Sequence, residues 1–310
     1  MEATQTVYLA AEGYEAQLDE ELRRSRLPLL WRRGGLFGTA SCAVPLAWAQ
    51  NIWLNPAFIP IASIGDAAAK LRSLQRNWAC APCDFFRRSA LIQAKLPAIG
   101  RKPLVFGSPL PKLPMGGWTL WDENTLLASS DTASPFPGGR ASFAENTQEP
   151  PSRAYLKLWE VFTLTGRRPA HGELCLDLGS APGGWTWVLA GLGARVFSVD
   201  KAELASRVAA MPGVDHCAGS SAFGLDPQSA GEVDWLFCDV ACYPSRLWAM
   251  IERWLKKGSC RNFVCTLKFQ GRTDFETAER FAGIPGSQLM HLSCNKHELT
   301  WLRFQRESRG

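Results

Sequence analysis

Downstream of residue 152 the chain alternates short apolar runs with stretches whose apolar positions recur at helical spacing. Runs of strand length fall at 173–178, 194–199, 214–218, 233–238, 262–267, 288–293 and 298–304. Helical patterns occupy 153–165, 184–192, 244–257 and 273–282. Strands that alternate with helices predict an α/β fold, a parallel sheet covered on both faces. No helix separates the last two strand runs, so the final strand is expected to be antiparallel.

Upstream the pattern is α+β and less regular. Residues 7–10 read as a strand and 14–24 as a helix with acidic and basic faces. Further apolar segments at 42–49, 58–64, 89–96 and 103–106 are broken by prolines. Between them and the regular half lies TASPFPGGRASFAENTQEPP, rich in Pro, Gly and Ser and without periodicity. The expected organisation is therefore an α+β amino-terminal domain over 1–131, a linker over 132–151 and an α/β domain over 152–310, lengths at which each domain can bury a core.

Charge changes the picture of the first domain. The whole chain of 310 residues has a formal net charge of only +5. Residues 22–121, however, hold fourteen Lys or Arg against two acids, Asp66 and Asp84. Such an excess suits a polyanion, because neutralised phosphates release counterions. Arg23, Arg24, Arg26, Arg32 and Arg33 cluster near Trp31, an aromatic that could stack on a base, so RNA is the expected partner.

Other classes lose ground on composition. No apolar run approaches the length of a bilayer span, and the amino terminus lacks the basic patch and apolar core of a secretory leader. A cytoplasmic location with no membrane partner is expected. Most of the ten cysteines sit in apolar runs, where a thiol acts as a small hydrophobe. Cys80 and Cys83 form a C-x-x-C, but no second pair follows at zinc-ribbon spacing and no histidine is near. Reduced thiols and no metal site are expected.

The chemistry concentrates in LCLDLGSAPGGW at 174–185. The string Asp177-Leu178-Gly179-Ser180-Ala181-Pro182-Gly183-Gly184-Trp185 ends the first strand and opens a helix. Glycines there let backbone approach a ligand, and the helix start offers free N–H groups. The dinucleotide pattern G-x-G-x-x-G is absent. Asp200 closes the second strand, where a carboxylate can accept both ribose hydroxyls of an adenosine moiety.

DLGSAPGGW resembles the motif of the FtsJ/RrmJ-type ribose 2′-O-methyltransferases of RNA, nearest to the RlmM type that modifies large-subunit ribosomal RNA. The likeness continues through PSRAYLKL at 151–158, DWLFCDV at 234–240, TLKF at 266–269 and KHELTWLRF at 296–304. VYLAAEGYEAQLDEEL near the start resembles the opening of that type's ferredoxin-like and THUMP-containing region, shortened here. The resemblance implies a Rossmann-like fold and S-adenosylmethionine as cofactor. It also implies a Lys-Asp-Lys-Glu tetrad, which falls on Lys157, Asp239, Lys268 and Glu298. Ser152, Ser221 and Asp239 join the loop residues as expected cofactor contacts. Ser221 stands in GSSA (219–222), where the family often has an acid for the adenine.

The resemblance and the strand pattern converge. Ligands of a doubly wound sheet bind beyond the carboxyl ends of its strands, where Asp177, Asp200, Asp239 and Lys268 belong. An antiparallel last strand would begin at that edge and bring in Glu298. Methyl transfer to a hydroxyl needs in-line positioning and a base. A lysine can be that base if its pKa is depressed, usually by a second ammonium and partial desolvation. Lys268 is thus expected to be the base and Lys157 its electrostatic neighbour and orienter of the hydroxyl. Asp239 would anchor a lysine, and Glu298 would fix Lys157 or the ribose.

Three rivals remain. A base-amino methyltransferase would place Pro-Pro-aromatic after an Asn or Asp, whereas this chain reads DVACYP. A cytosine-C5 methyltransferase would use Cys242 as nucleophile, but its usual proline before the cysteine is missing. A non-catalytic RNA-binding ribosome-assembly factor could retain the fold alone.

Overall fold

The computed structural model describes residues 4–305 apart from 101 and 113. Contacts divide the chain into two units, Met1–Ala144 and Glu145–Gly310.

The amino-terminal unit runs β1 (Thr6–Ala10), α1 (Glu15–Arg24), β2 (Leu29–Arg33), β3 (Leu36–Thr39), β4 (Ala49–Leu54), β5 (Ala57–Pro60), α2 (Ile64–Leu74), β6 (Trp78–Cys80), α3 (Phe86–Gln93), β7 (Gly116–Asp122), β8 (Thr125–Ser129) and β9 (Asp131–Thr132). One sheet has the order β2-β3-β1-β4-β9 and a second the order β5-β8-β7-β6. Ser63 starts α2 by accepting the Asp66 N–H at 3.1 Å, which satisfies an otherwise unpaired donor of the first turn. Trp78, Trp118, Leu71 and Leu126 pack the core between α2, α3 and the second sheet.

The upstream apolar segments resolve into mixed structure. Residues 42–48 form a loop whose Trp48 is buried, and Glu21 holds it by accepting the N–H groups of Ala47 and Trp48. The stretch expected as a linker is ordered in its first part. Thr132 pairs with Trp53 of β4, Phe136 is buried, and Gln50 Nε2 donates to Gly139 O at 3.1 Å. Lack of periodicity cannot distinguish a free connector from a loop held by such local contacts.

The carboxyl-terminal unit runs α4 (Tyr155–Thr165), β10 (Leu174–Leu178), α5 (Gly184–Gly191), β11 (Arg195–Val199), α6 (Ser206–Ala209), β12 (Val214–Cys217), β13 (Glu232–Cys238), α7 (Pro244–Lys257), β14 (Ser259–Lys268), α8 (Phe275–Ala282), β15 (Ser287–Met290) and β16 (Glu298–Arg303). Its sheet has the order β12-β11-β10-β13-β14-β16-β15. The first five strands are parallel, and β16 pairs antiparallel with both β14 and β15. This is the Rossmann-like arrangement with a reversed last strand.

Central strands β10 and β13 read LCLDL and EVDWLFC and are almost wholly buried, as strands covered on both faces must be. The run at 288–293 stops pairing at Met290, because His291–Asn295 turns back toward β16. Strand order reverses between β10 and β13, where the loops after neighbouring strands diverge and leave a crevice. Among the described residues no helix is long and apolar enough to cross a membrane.

Candidate active site

A cavity of about 480 Å³ opens beyond the carboxyl ends of β10, β11, β13 and β14, a size suited to one nucleoside-sized ligand. The β10–α5 loop forms one wall. Gly179 sits at φ +79°, and a Cβ there would come within 2.7 Å of Val240, so a larger residue would push apart the two loops that frame the cavity. Gly184 approaches Ser152 as closely: its Cβ would meet Ser152 Oγ at 2.5 Å. Trp185 is buried and donates from Nε1 to Ala154 O at 2.9 Å, tying the start of α5 to the start of α4.

Three carboxylates face this region. Asp177 is buried and accepts the Thr186 hydroxyl at 2.6 Å. Burial pushes its carboxyl up to about 7, with Asp239 and Asp200 adding in the same direction. Asp200 accepts the N–H groups of Ala181 and Ala202, each at 3.0 Å, which fixes the carboxylate against the glycine-rich loop. Asp239 closes the far side with Val240, Ala241 and Lys268.

The two lysines of the expected tetrad meet at Asp239, and Glu298 joins them through Lys157. Its Oδ1 receives Lys157 Nζ at 3.0 Å and Lys268 Nζ at 3.0 Å. Lys268 Nζ also donates to the Asp239 carbonyl at 2.5 Å. On its other side Lys157 Nζ bonds Glu298 Oε1 at 2.7 Å. Glu298 lies directly across the β14–β16 ladder from Lys268, so strand register brings the last acid to the fifth strand's lysine. Burial alone would lower the Lys157 pKa, but the two carboxylates outweigh it and hold the ammonium above the ordinary lysine value.

Positions on the cavity differ among the expected residues. Ser152, Asp177, Gly179, Ser180, Ala181, Pro182, Gly184, Trp185, Asp200, Asp239 and Lys268 line it. Lys157 and Glu298 lie outside the lining and reach it through Asp239. Gly183 also lies outside, packed near Leu204 and Val208. Ser221 is outside as well, its hydroxyl accepting the Phe223 N–H at 3.3 Å within its own loop.

Several contributors carry little sequence signal. Thr186 satisfies Asp177, and nothing local marks it. Glu160 is an acid on the apolar helix YLKLWEVFTLT, a conflict of pattern that could have flagged it. Its carboxylate accepts the Ser293 N–H at 3.0 and 2.9 Å and the Ser293 hydroxyl at 2.8 Å. Cys242 is buried, and burial raises its thiol pKa, which disfavours the thiolate that a nucleophile requires.

The arginines near Trp31 are largely engaged within their own unit. Arg23 and Arg24 pair with Glu20 at 2.6 and 2.7 Å, Arg32 with Asp19 at 3.4 Å, and Arg33 with Asp84 at 2.8 Å. Trp31 packs edge-on against Trp121 and donates to Thr4 Oγ1. Arg72, Arg76, Arg87 and Lys95, on and beside α2 and α3, are exposed and have no carboxylate partner among the described residues.

Residues 150–267 match the FtsJ-like methyltransferase family, in line with the resemblance read from the sequence. Three similar curated relatives share the name Ribosomal RNA large subunit methyltransferase M. The protein from Halorhodospira halophila (strain DSM 244 / SL1) is 39% identical over 133 residues, covering 42% of this chain and 38% of that one. That of Xanthomonas oryzae pv. oryzae (strain PXO99A) is 33% identical over 213 residues, covering 66% and 56%. That of Xanthomonas axonopodis pv. citri (strain 306) is 32% identical over 227 residues, covering 66% and 63%. The chain thus spans roughly four- to six-tenths of the length of these relatives.

Proposed function

We propose that this protein transfers a methyl group from S-adenosylmethionine to a ribose 2′-hydroxyl of RNA, with large-subunit ribosomal RNA as the substrate class that its relatives' names favour. The observation that carries the reading is the carboxylate of Asp239, shared by two lysines and set on the wall of the cavity.

The residues present fit the methyl donor. Ser180 is buried and its hydroxyl has no partner among the described residues, an arrangement that a polar ligand would complete. The three carboxylates suit a cationic donor, and Gly179 leaves its backbone open to the ligand. Asp200 would hold the adenosine ribose, and Asp177 and Asp239 the charged end. When bound, S-adenosylmethionine supplies an electrophilic methyl group on a sulfonium sulfur.

The chain's own residues divide the remaining work. Lys268 Nζ faces the cavity and is the more exposed lysine, with 26% of its side chain accessible against 9% for Lys157. Once its own proton has passed to solvent, the neutral amine would accept the proton of the attacking hydroxyl and become an ammonium beside Asp239. Lys157, clamped between Asp239 and Glu298, stays an ammonium and supplies fixed positive charge as the hydroxyl oxygen becomes nucleophilic. Asp239 orients both lysines. The exposed cations on and beside α2 and α3 would bind RNA phosphates.

The test is transfer of labelled methyl from S-adenosylmethionine to an unmodified large-subunit ribosomal RNA transcript, followed by alkaline hydrolysis. Label in alkali-resistant dinucleotides supports the reading. Label on a base, or no transfer, rejects it.

A further inference from the structure

Helix α4 grips the start of β16 and the turn before it at two points one turn apart. Lys157 holds Glu298 at 2.7 Å. Three residues on along α4, Glu160 holds Ser293 through its backbone N–H and its hydroxyl, with bonds of 2.8 to 3.0 Å. Glu160 is only 3% exposed. A carboxylate that deep costs free energy unless its oxygens are satisfied, and here the turn after β15 satisfies them. Asn295 completes the arrangement, donating from Nδ2 to Glu298 O at 3.3 Å and to Thr300 Oγ1 at 3.2 Å.

Within the turn at 291–297 only His297 continues the pairing, its carbonyl accepting the Phe269 N–H at 3.0 Å, so strand pairing does not set where 291–296 lies. Pairing fixes the chain only from His297 onward, which leaves the path of 291–296, and with it the approach of the Glu298 side chain to α4, some freedom. The Glu160–Ser293 contact removes that freedom. We propose that Glu160 is a positioning residue of the methyl-transfer site. By anchoring Ser293 it sets the distance between α4 and Glu298, and hence the station of Lys157 against Asp239. The catalytic part of this proposal rests on the methyltransferase reading above; the anchoring itself does not.

The experiment compares wild type with Glu160→Gln, Glu298→Gln and the double variant, by hydrogen exchange and by methyl transfer to the rRNA transcript. Glutamine preserves the volume but removes the charge and leaves one acceptor oxygen where the carboxylate offers two to Ser293. Peptides covering 291–300 should exchange about tenfold faster in Glu160→Gln, as expected for lost local protection, while β10 and β13 peptides stay unchanged. Turnover should fall about tenfold to a hundredfold, the usual effect of misplacement by a fraction of an ångström to an ångström, with KM for RNA and donor affinity unchanged.

In the Glu298→Gln background the same change should cost nothing further, because both residues act through one contact. Unchanged exchange at 291–300 overturns the proposal, as does a loss that multiplies in the double variant or faster exchange with full turnover. If Glu160→Gln also loosens the sheet, Ser293→Ala carries the test. It should shift exchange and turnover in the same direction by less, and no shift overturns the proposal. If wild type transfers no methyl to RNA, the functional reading falls, while the exchange measurement still decides the anchor.

Discussion

Lys268 meets Asp239 twice, at the backbone carbonyl (2.5 Å) and at the carboxylate (3.0 Å). One residue ends β14 and the other follows β13, parallel neighbours in register at Cys238 and Cys265. The lysine's place at the cavity is therefore a property of the sheet, and its removal should leave the cavity's shape intact.

Replacing Lys268 by alanine should consequently spare donor binding and abolish chemistry. Turnover is expected to drop by about a hundredfold to ten-thousandfold, the usual contribution of a general base. Calorimetric affinity for S-adenosylmethionine should remain within a few-fold of wild type. Turnover near wild type would reject Lys268 as the base.

Removing the shared carboxylate should affect stability as well as activity. Asp239→Ala leaves Lys157 with Glu298 as its single partner in a buried setting, so the cost should approach but not exceed the ~3–5 kcal/mol of breaking a buried pair outright. The expected signs are a clear drop in the urea midpoint and loss of turnover. A midpoint equal to wild type would show that the ion-pair cluster is not structurally coupled.

Stability should also depend on pH through Asp177. Its carboxyl ordinarily titrates near 3.8 but is raised to about 7 in the fold. Between those values the folded protein keeps a proton that the unfolded chain has released, so stability declines as pH rises through this window and levels off above it. Glu21, raised by burial to about 7, acts in the same direction. Urea midpoints at pH 5 and pH 7.5 should therefore fall less in Asp177→Asn than in wild type. Equal declines would mean that Asp177 does not hold the proton.

Cys242 lies close to the site in sequence, yet its thiol is buried and held protonated. Cys242→Ala should keep turnover within a few-fold of wild type. Complete loss would favour attack by sulfur on a base.

The two arginine groups of the amino-terminal unit should separate in a salt titration of RNA binding. Each phosphate contact removed lowers the slope of log K against log salt by about 0.7 to 0.9. Arg72→Ala, Arg76→Ala and Arg87→Ala should each flatten it and weaken binding. Arg23→Ala and Arg24→Ala, whose charges already face Glu20, should do so less. The reverse order would move the RNA surface to α1 and β2.

Much of this protein was legible along the chain. Burial on both faces demands unbroken apolar runs, so β10, β13 and β14 announced themselves. A sharp strand-to-helix turn beside a ligand demands small residues, so Gly179 to Gly184 stood out. Both are local requirements written into consecutive positions.

The tertiary structure alone decided which charges meet. Lys157 and Asp239 are 82 positions apart, and they are joined because β13 ends beside α4, which no local period encodes. The same holds for Glu160 and Ser293, 133 positions apart, and for Arg33, whose charge is answered by Asp84 across 51 positions. A side chain's identity and its local backbone are set by its neighbours in sequence. Its charge state, its burial and its partner are set by whatever folding brings within about 3 Å of it, the range of a hydrogen bond.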